Sequence, residues 1–496
     1  AAAQAYLEHN PRDAAATSLL GLMHLLLGNT QEAISALQKA VALQPDADNH
    51  HALGNAYYED QEYDKALAEY QAALAADPTR VASVVALGDT YEKLGQTDEA
   101  IAAYREALAL EENADVHAYI GILLARQGRA DEAEAEYKAS LQLEDNLLSH
   151  VGLGELYEKA GKTEQAIAEY EAALNLSDNA STLANLHITL ARLYQTLGRV
   201  EEATGEYQAA LALLPEDPHL DGTRATLALA LLDQCRPDEA LATLQPALER
   251  GKAQLPVEVL RAQATVYEAQ GKEAEASEVY ATMLRENPDR PEVHYFAAWF
   301  AYRQDRLSQA IEEMHQVLKL VPVFYQGWAE LGYFYSLEGD PIAASYHSTA
   351  LESQPWNVYA LLGLGEIALQ QGEPELALTR FQEALQQHPE YAKAVPTAAQ
   401  TALFSIHLDL ALAYERLGRA SDAAQELTTV RQLAEAMAAA NPTSAKDRFR
   451  LAVAHWVSGE TQAAEAAFAQ AAQCDASLAA ERARVQKRIA LLRAKP

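Results

Sequence analysis

The chain has 496 residues, with 38 Lys and Arg against 71 Asp and Glu, and a formal net charge of −33. This excess of acid repels phosphate backbones and anionic membrane surfaces, so it argues against nucleic acid or such a surface as a partner. Apolar residues make up 49% of the chain, as expected of an ordered protein. No apolar stretch reaches the ~18–20 residues that a transmembrane segment needs.

Two cysteines, Cys235 and Cys474, lie far apart in the sequence. They are too few for the disulfide framework of a small secreted domain, and they fit a reducing cytosol without excluding the periplasm. We expect the protein to be cytoplasmic. The alternative is the periplasm, if a signal peptide precedes Ala1.

A repeat of 34 residues begins near the start of the chain and continues through most of it. Gly54 recurs as Gly88 and Tyr70 recurs as Tyr104, each 34 residues later. In each unit, Leu-Gly followed three residues later by Tyr marks one face of a first helix. Ala, Tyr and Ala at spacings of four and three mark one face of a second helix. One such hairpin cannot bury its apolar face alone, whereas stacked hairpins can.

The breaks between helices carry Gly and polar residues, and Asp98 is predicted to cap the second helix of its unit. Proline cannot continue a helix, so the prolines that follow second helices are predicted to close units. These prolines are Pro45, Pro78, Pro215, Pro288, Pro322 and Pro389.

The pattern Leu-Gly…Tyr…Ala…Tyr/Phe…Ala…Pro at this period resembles the tetratricopeptide repeat (TPR). The resemblance implies an all-α fold, a right-handed α-solenoid of about 13 stacked helix-turn-helix units with a C-terminal capping helix. The units are predicted to start near Ala14, Ala47, Val81, Ala114, Leu147, Ala184, Asp221, Val257, Pro291, Tyr325, Val358, Phe404 and Ala445.

The predicted domains follow this register, with soft boundaries near Asp217–Gly222 and Ala392–Leu403. Residues 1–13 are interpreted as the tail helix of a preceding repeat, so we expect the array to extend upstream. Regular units occupy 14–217, degenerate units with an aromatic-rich groove occupy 218–391, an insertion that contains Pro396 occupies 392–403, and two further units occupy 404–477.

Residues 478–496 are predicted to form a basic capping helix. One apolar stripe contains Leu478, Val485, Ile489 and Leu492, and the segment has a net charge of +5, with Lys495 among its basic residues. A polar outer face on a terminal helix keeps a solenoid soluble. The alternative is a docking patch for an acidic partner or an anionic lipid headgroup.

Candidate catalytic motifs are weak. Gly152-x-Gly154 and Gly363-x-Gly365 lack the strand and the third glycine of a phosphate-binding loop, and the second glycine of each pair is the repeat's own packing glycine. We therefore expect no enzyme activity and no cofactor.

Metal-binding patterns are equally weak. His50 and His51 are adjacent and point about 100° apart on a helix, so they cannot share a metal ion. The acids on second helices, such as Glu69, Glu136 and Glu169, are predicted to be exposed and to serve solubility. We expect no metal site.

The TPR resemblance implies that the first helix of each unit lines a concave groove, with positions two, five, nine, twelve and thirteen facing into it. Carried over to this chain, these positions form a mostly acidic early wall, which favours a neutral or basic partner segment. Its predicted partner-binding residues are His51, Asn55, Glu59, Asp89 and Glu155.

Aromatic residues concentrate further along the chain, where 14 of the 36 Phe, Trp and Tyr lie within residues 294–359. Tyr and Trp give a large contact area at low entropic cost, so those at groove positions are predicted to bind a partner. The alternative is that they pack against neighbouring units, or line a groove that the chain itself fills. These residues are Tyr295, Trp299, Tyr302, Tyr333 and Tyr359.

The resemblance thus implies a non-enzymatic scaffold or adaptor that holds a peptide segment or helix of one or more partner proteins and assists assembly of a larger complex. One alternative is an envelope component of a polysaccharide-export or outer-membrane assembly machine. Another is the repeat region of a larger enzyme. Homo-oligomerisation stays open, and the alanine-rich, cysteine-poor composition looks bacterial.

Overall fold

The computed structural model describes residues 2–250, 255–395 and 398–494. Over these residues it contains 28 α-helices, one short 3₁₀ helix and no strand, which confirms the predicted all-α solenoid of helical hairpins. Pro396 and Lys495 lie outside the described residues.

The chain divides into two compact units, unit 1 at 1–193 and unit 2 at 194–496, and helix α12 (Ala180–Thr196) contains the division. The soft boundary near Asp217–Gly222 stays a prediction. The helices before α12 are α1 (Ala2–His9), α2 (Ala14–Leu26), α3 (Thr30–Leu43), α4 (Ala47–Glu59), α5 (Tyr63–Ala76), α6 (Val81–Lys93), α7 (Thr97–Leu110), α8 (Ala114–Arg126), α9 (Ala130–Leu143), α10 (Leu147–Lys159) and α11 (Thr163–Leu174).

Unit 2 continues with the same alternation of first and second helices. Its 3₁₀ helix, Pro218–Leu220, precedes α14. The helices after α12 are α13 (Val200–Leu213), α14 (Asp221–Asp233), α15 (Pro237–Glu249), α16 (Val257–Ala269), α17 (Glu273–Glu286), α18 (Pro291–Arg303), α19 (Leu307–Leu320), α20 (Tyr325–Glu338), α21 (Ala343–Ser353), α22 (Val358–Gln370), α23 (Pro374–Ala394), α24 (Ala399–Arg416), α25 (Ala420–Ala440), α26 (Ala445–Val457), α27 (Thr461–Cys474) and α28 (Ser477–Arg493).

The first helices begin at the predicted residue in all but two of the units. The exceptions are α12 and α24, which begin at Ala180 and Ala399 rather than at Ala184 and Phe404. Both helices are longer than the usual 13-residue first helix, with 17 and 18 residues. The additional residues therefore extend the helices at their N-terminal ends.

Prolines end second helices as predicted in five of six cases, where the helix stops two residues before the proline. Pro389 is the exception, because α23 continues through it to Ala394. The continuation buries Tyr391, which is 3% exposed, against the rings of Trp356 and Tyr359. Burying an aromatic ring stabilises by about 2–3 kcal/mol, which offsets most of the ~3 kcal/mol cost of an interior proline.

The predicted cap at Asp98 is wrong. Gly95 adopts a left-handed conformation with a φ of 73°, and the Gln96 N–H donates to the Tyr91 carbonyl at 2.9 Å. This turn makes Gln96 the residue before α7. Asp98 instead lies within the first turn of α7, where its negative charge favours the helix N-terminus.

Helices pack closely where a glycine of the first helix faces an aromatic ring of the second. A Cβ atom on Gly88 would lie 2.5 Å from Cε1 of Tyr104, whose side chain is 1% exposed. Replacing the glycine therefore forces a ring in a filled core to move.

We expect Gly88→Ala to lower the free energy of unfolding by about 1–3 kcal/mol, as overpacking does. Gly205→Ala is the control, since Gly205 lies within α13 with nothing within 4 Å of its added Cβ, and alanine there should stabilise by about 0.5–1 kcal/mol. Thermal unfolding followed by circular dichroism checks both values. If both substitutions changed the free energy of unfolding equally and in the same direction, this explanation of the packing would be wrong.

In the unit of α20 and α21, His347 stands where other units place Tyr or Phe. Its ring lies between Gly332 and Gly363, and the side chain is 1% exposed. Neither ring nitrogen has a hydrogen-bond partner among the described residues. Burial lowers the pKa of His347 to about 4, so the ring is neutral in the folded protein.

This histidine should make the protein sensitive to acid. Because the unfolded chain takes up the proton near pH 6.5, stability is present above that pH and is lost as the pH falls towards 4. The free energy of unfolding of the wild type should fall by about 2 kcal/mol between pH 7 and pH 5 because of His347, and the His347→Phe variant should lack this decrease. Denaturant unfolding of both proteins at each pH measures it, and parallel pH profiles would contradict the assignment.

Histidine–glutamate pairs join the two helices of a hairpin in several units of the part of the chain that the structure describes. The histidine Nδ1 lies 2.5–2.7 Å from a carboxylate oxygen of the glutamate 19 residues later. These pairs include His50–Glu69, His117–Glu136, His150–Glu169, His294–Glu313 and His407–Glu426.

The prediction that Glu69, Glu136 and Glu169 are exposed solubilising groups is therefore wrong. Their side chains are only 20–23% exposed, because each reaches across its hairpin to a histidine of the first helix. At His117, burial opposes the charged ring, but the hydrogen bonds to Glu136 and Glu112 outweigh it and raise the pKa.

Candidate functional site

The predicted acidic wall of unit 1 consists of hydrogen-bonded and free groups. Asn55 accepts a hydrogen bond from the Tyr70 hydroxyl at 2.8 Å and lies 3.3 Å from Nε2 of His51. His51 Nδ1 in turn lies 3.1 Å from the Ser83 hydroxyl. Burial, followed by the charge of Arg80, lowers the pKa of His51 to about 4. The structure thus brings His51 and Asn55 into one network.

Asp89, Glu59 and Glu155 differ in their surroundings. Asp89 accepts a hydrogen bond from the Tyr104 hydroxyl at 2.6 Å, and burial raises its pKa despite that bond. Glu59 and Glu155 are exposed, and neither forms an ion pair within the part of the chain that the structure describes. No ion pair among the described residues therefore neutralises either carboxylate.

Arginines neutralise other carboxylates of the same wall across adjacent repeats. Arg126 Nη1 donates to Glu92 at 2.7 Å and Arg192 Nη2 donates to Glu158 at 3.1 Å, each 34 residues away. Arg80 and Asp48 form a third pair. Exposed pairs of this kind are worth at most about 1 kcal/mol, so a charged partner can compete for them.

Four of the five predicted aromatic residues meet in unit 2. Tyr295 and Trp299 donate hydrogen bonds to the Glu330 carboxylate at 3.0 and 3.2 Å. The hydroxyls of Tyr302 and Tyr333 lie 2.9 Å apart. Glu330 is 9% exposed, and burial raises its pKa to about 7 against these hydrogen bonds.

Tyr359 is the fifth predicted aromatic residue, and its ring packs edge-on against Tyr391 with the centroids 5.8 Å apart. Of the five, Tyr302 is buried and the others are half-buried. Their role as partner contacts stays a prediction. Glu330 was not among the predicted site residues, because it is the sixth residue of α20 and the sixth position is not one of the predicted groove positions.

Helix α28 lies against the first helices α18, α22 and α24 of unit 2. Arg484 donates to the Arg303 carbonyl at 2.8 Å and stands over the Tyr302 ring at 5.2 Å. Arg488 Nη2 donates to both Glu366 and Asp409 at 2.7 Å.

The end of α28 continues this pattern, since Arg493 pairs with Glu415 at 2.8 Å. Arg484, Arg488 and Arg493 of the predicted capping helix thus contact carboxylates or a carbonyl of unit 2. The predicted apolar stripe is confirmed, because Ile489 and Leu492 are fully buried and Leu478 and Val485 pack against the same core.

Cys235 and Cys474 form a disulfide across a sequence separation of 239 residues. Cys235 ends the turn after α14, with a positive φ of 60°, and Cys474 is the last residue of α27. Arg448 Nη1 lies 3.3 Å from the Cys474 sulfur. The bond therefore fixes the end of α27, three residues before α28 begins, to a turn early in unit 2.

The described residues were compared with two further requirements, those of a metal site and of a membrane span, and they meet neither. No group of three or more His, Cys, Asp or Glu side chains there is placed to hold a metal ion. None of the described helices combines the length and the apolar character needed to cross a bilayer.

Several family models match the chain. The C-terminal domain of cilia and flagella-associated protein 70 matches residues 1–152. Three tetratricopeptide-repeat models match residues 267–324, residues 154–256, and residues 121–184, 225–291 and 341–392. No curated protein matches the chain.

Several solved structures are similar to part or most of the chain. A tetratricopeptide repeat protein from Parabacteroides merdae is 18% identical, with 55% of this chain and 93% of that chain covered and a TM-score of 0.40. PilF of Pseudomonas aeruginosa is 25% identical, with coverages of 42% and 95% and a TM-score of 0.36. The APC/C heterotetramer Cut9–Hcn1 is 13% identical, with coverages of 96% and 96% and a TM-score of 0.38.

Stacked helical hairpins of one period, with a glycine in the first helix against a ring in the second, define an α-solenoid repeat protein. The chain belongs to the tetratricopeptide-repeat family. Such repeats serve as protein-interaction scaffolds and are typically non-enzymatic modules.

Proposed function

We propose that the protein is a non-enzymatic scaffold that holds a basic or neutral segment of a partner protein along the inner wall of unit 1, and so assists assembly of a larger complex. The free carboxylates of Glu59 and Glu155 support this proposal most directly. They occupy groove positions, are exposed, and form no ion pair among the described residues. A lysine or arginine of the partner can form a favourable electrostatic interaction with these carboxylates without displacing an existing ion pair.

Charge reversal tests the proposal. Glu59→Lys with Glu155→Lys should weaken binding of a fluorescein-labelled amphipathic peptide that carries lysines, by tenfold or more at low salt. The control is Glu106→Lys with Glu144→Lys, which makes the same charge change at exposed residues outside the first helices. Fluorescence anisotropy with the basic peptide and its acidic counterpart measures the difference. If both double variants lost the same amount of affinity for the basic peptide, the inner wall would not be the binding surface.

The disulfide favours the alternative localisation. Structural disulfides persist in oxidising compartments and are rare in a reducing cytosol, so the Cys235–Cys474 bond supports a periplasmic or envelope scaffold. Acid-quenched native cells treated with a thiol-reactive polymer should show neither cysteine modified. Modification of both cysteines before any reductant is added would favour the cytoplasm.

Self-association is a second candidate, supported by the apolar surface of α2. Leu19, Met23 and Leu26 are 56%, 42% and 87% exposed. A contiguous exposed apolar surface of this kind usually contacts another protein. Light scattering over a concentration series should show dimers that Leu19→Glu with Leu26→Glu abolishes, whereas a monomer at every concentration would exclude this candidate.

A further inference from the structure

Helix α28 occupies the groove side of unit 2. It contacts α18, α22 and α24, which are the first helices of three different repeats. First helices line the concave side of a tetratricopeptide solenoid, so α28 lies where a bound helix would lie. Its residues Ala483, Lys487 and Ala490 remain exposed, while Ile489 and Leu492 are buried against the groove.

The groove presents buried carboxylates to this helix. Asp409 on α24 is fully buried and Glu366 on α22 is 8% exposed. Carboxylates in such places need a cation, and Arg488 supplies it: its Nη2 donates to both carboxylates and its Nε donates to Glu366.

The arrangement is incomplete at Asp409. Its second oxygen, Oδ2, is buried and has no hydrogen-bond partner within the described residues. A buried acceptor without a donor is unfavourable, and a helix that brought a further donor would correct it. The groove therefore holds α28 while one buried acceptor, Oδ2 of Asp409, lacks a hydrogen bond.

We propose that the groove side of unit 2 is a receptor for an arginine-bearing amphipathic helix of a partner protein, and that α28 is the intramolecular occupant which this helix displaces. The site involves other residues than the wall of unit 1, so neither proposal rests on the other.

The contacts of α28 define the partner. Arg484 and Arg488 lie four residues apart, and each directly precedes an apolar residue of the buried stripe, Val485 and Ile489. Arginine matches the geometry because its planar fork reaches two acceptors, as Arg488 does with Glu366 and Asp409. A partner helix with arginines and apolar residues at this spacing would make the same contacts.

The N-terminal end of α28 stays attached to unit 2 when the rest of the helix is displaced. The Cys235–Cys474 disulfide precedes the helix, and the Ala476 N–H donates to the Ala269 carbonyl at 2.9 Å. A tethered segment has a high effective concentration at its site. The resident helix should therefore compete strongly with any partner, and weakening it should open the groove.

The experiment uses the full chain and a fluorescein-labelled synthetic peptide with the sequence of residues 477–494. We expect the peptide to bind the Arg484→Ala, Arg488→Ala protein at least tenfold more tightly than it binds the wild type, as measured by fluorescence anisotropy. A peptide of the same composition in scrambled order should bind neither. Absence of binding to a variant whose circular dichroism matches the wild type, or equal binding of the scrambled peptide, would overturn the proposal.

A second variant covers the case in which loss of the arginines impairs folding. Leu492→Ala weakens the apolar contact of α28 and leaves the ion pairs of Arg488 in place, so it should raise peptide affinity by a smaller factor than the arginine variant does. Hydrogen exchange of the wild-type chain should become faster in α28 when the peptide saturates it. If α28 keeps its protection while the peptide is bound, or if the variants form dimers with exchanged α28, the partner-helix proposal fails.

Discussion

Replacing both Cys235 and Cys474 by serine is expected to lower the free energy of unfolding of unit 2 by about 3 kcal/mol. The bond closes a loop of 239 residues, and a cross-link restricts the unfolded chain more as the closed loop becomes longer. It also anchors the residues that lead into α28, so the helix should become less protected.

Tryptophan fluorescence isolates this effect, because all four tryptophans, Trp299, Trp328, Trp356 and Trp456, lie in unit 2. Denaturant titration of the double serine variant should show a lower midpoint than the wild type. Wild-type protein treated with a dithiol reductant is the matched control and should behave like the variant. An unchanged midpoint in both would mean that the bond does not stabilise the unit.

Replacing Arg488 by methionine is expected to cost about 3–5 kcal/mol, because the change leaves Glu366 and Asp409 buried without a cation. Burial already raises the pKa of Asp409 although Arg488 opposes this shift. Without the arginine, the Asp409 carboxyl should bind a proton in the folded state at still higher pH. The loss of stability should therefore be larger at pH 8 than at pH 5.

Two comparison variants separate charge from packing. Arg482→Met removes an arginine of the same helix that pairs with Glu465 on the surface, and it should cost less than about 1 kcal/mol. Replacing Arg488, Glu366 and Asp409 together by apolar residues should recover much of the stability, as removal of whole buried ion networks often does. Denaturant unfolding measures each protein, and a triple variant as unstable as Arg488→Met would contradict the account.

The sequence predicted the hairpins well because their determinants are local. Gly88 and Tyr104 lie in one hairpin and recur at one spacing, so the register can be read without knowing how units stack. The histidine–glutamate pairs were equally local. His50 and Glu69, like His117 and Glu136, are 19 residues apart, and this recurring spacing could have revealed them.

Contacts across many repeats could not be predicted in this way. The approach of Cys235 to Cys474 depends on how all the intervening hairpins of unit 2 stack, and small rotations per repeat accumulate along a solenoid. The apolar stripe of α28 is visible in the sequence, but the same stripe suits a helix that covers the solenoid's end and one that lies in its groove. The contacts of α28 with α18, α22 and α24, together with the positions of Glu366 and Asp409, distinguish the two.

The disulfide has a mechanical consequence. A solenoid normally stretches as a spring, because each hairpin is bonded only to its neighbours. When unit 2 is pulled from both sides, tension passes directly between Cys235 and Cys474, so the hairpins between them carry no load. Cleavage of a loop in that span would likewise leave both fragments joined. The bond converts an extensible part of the molecule into a spacer of fixed length.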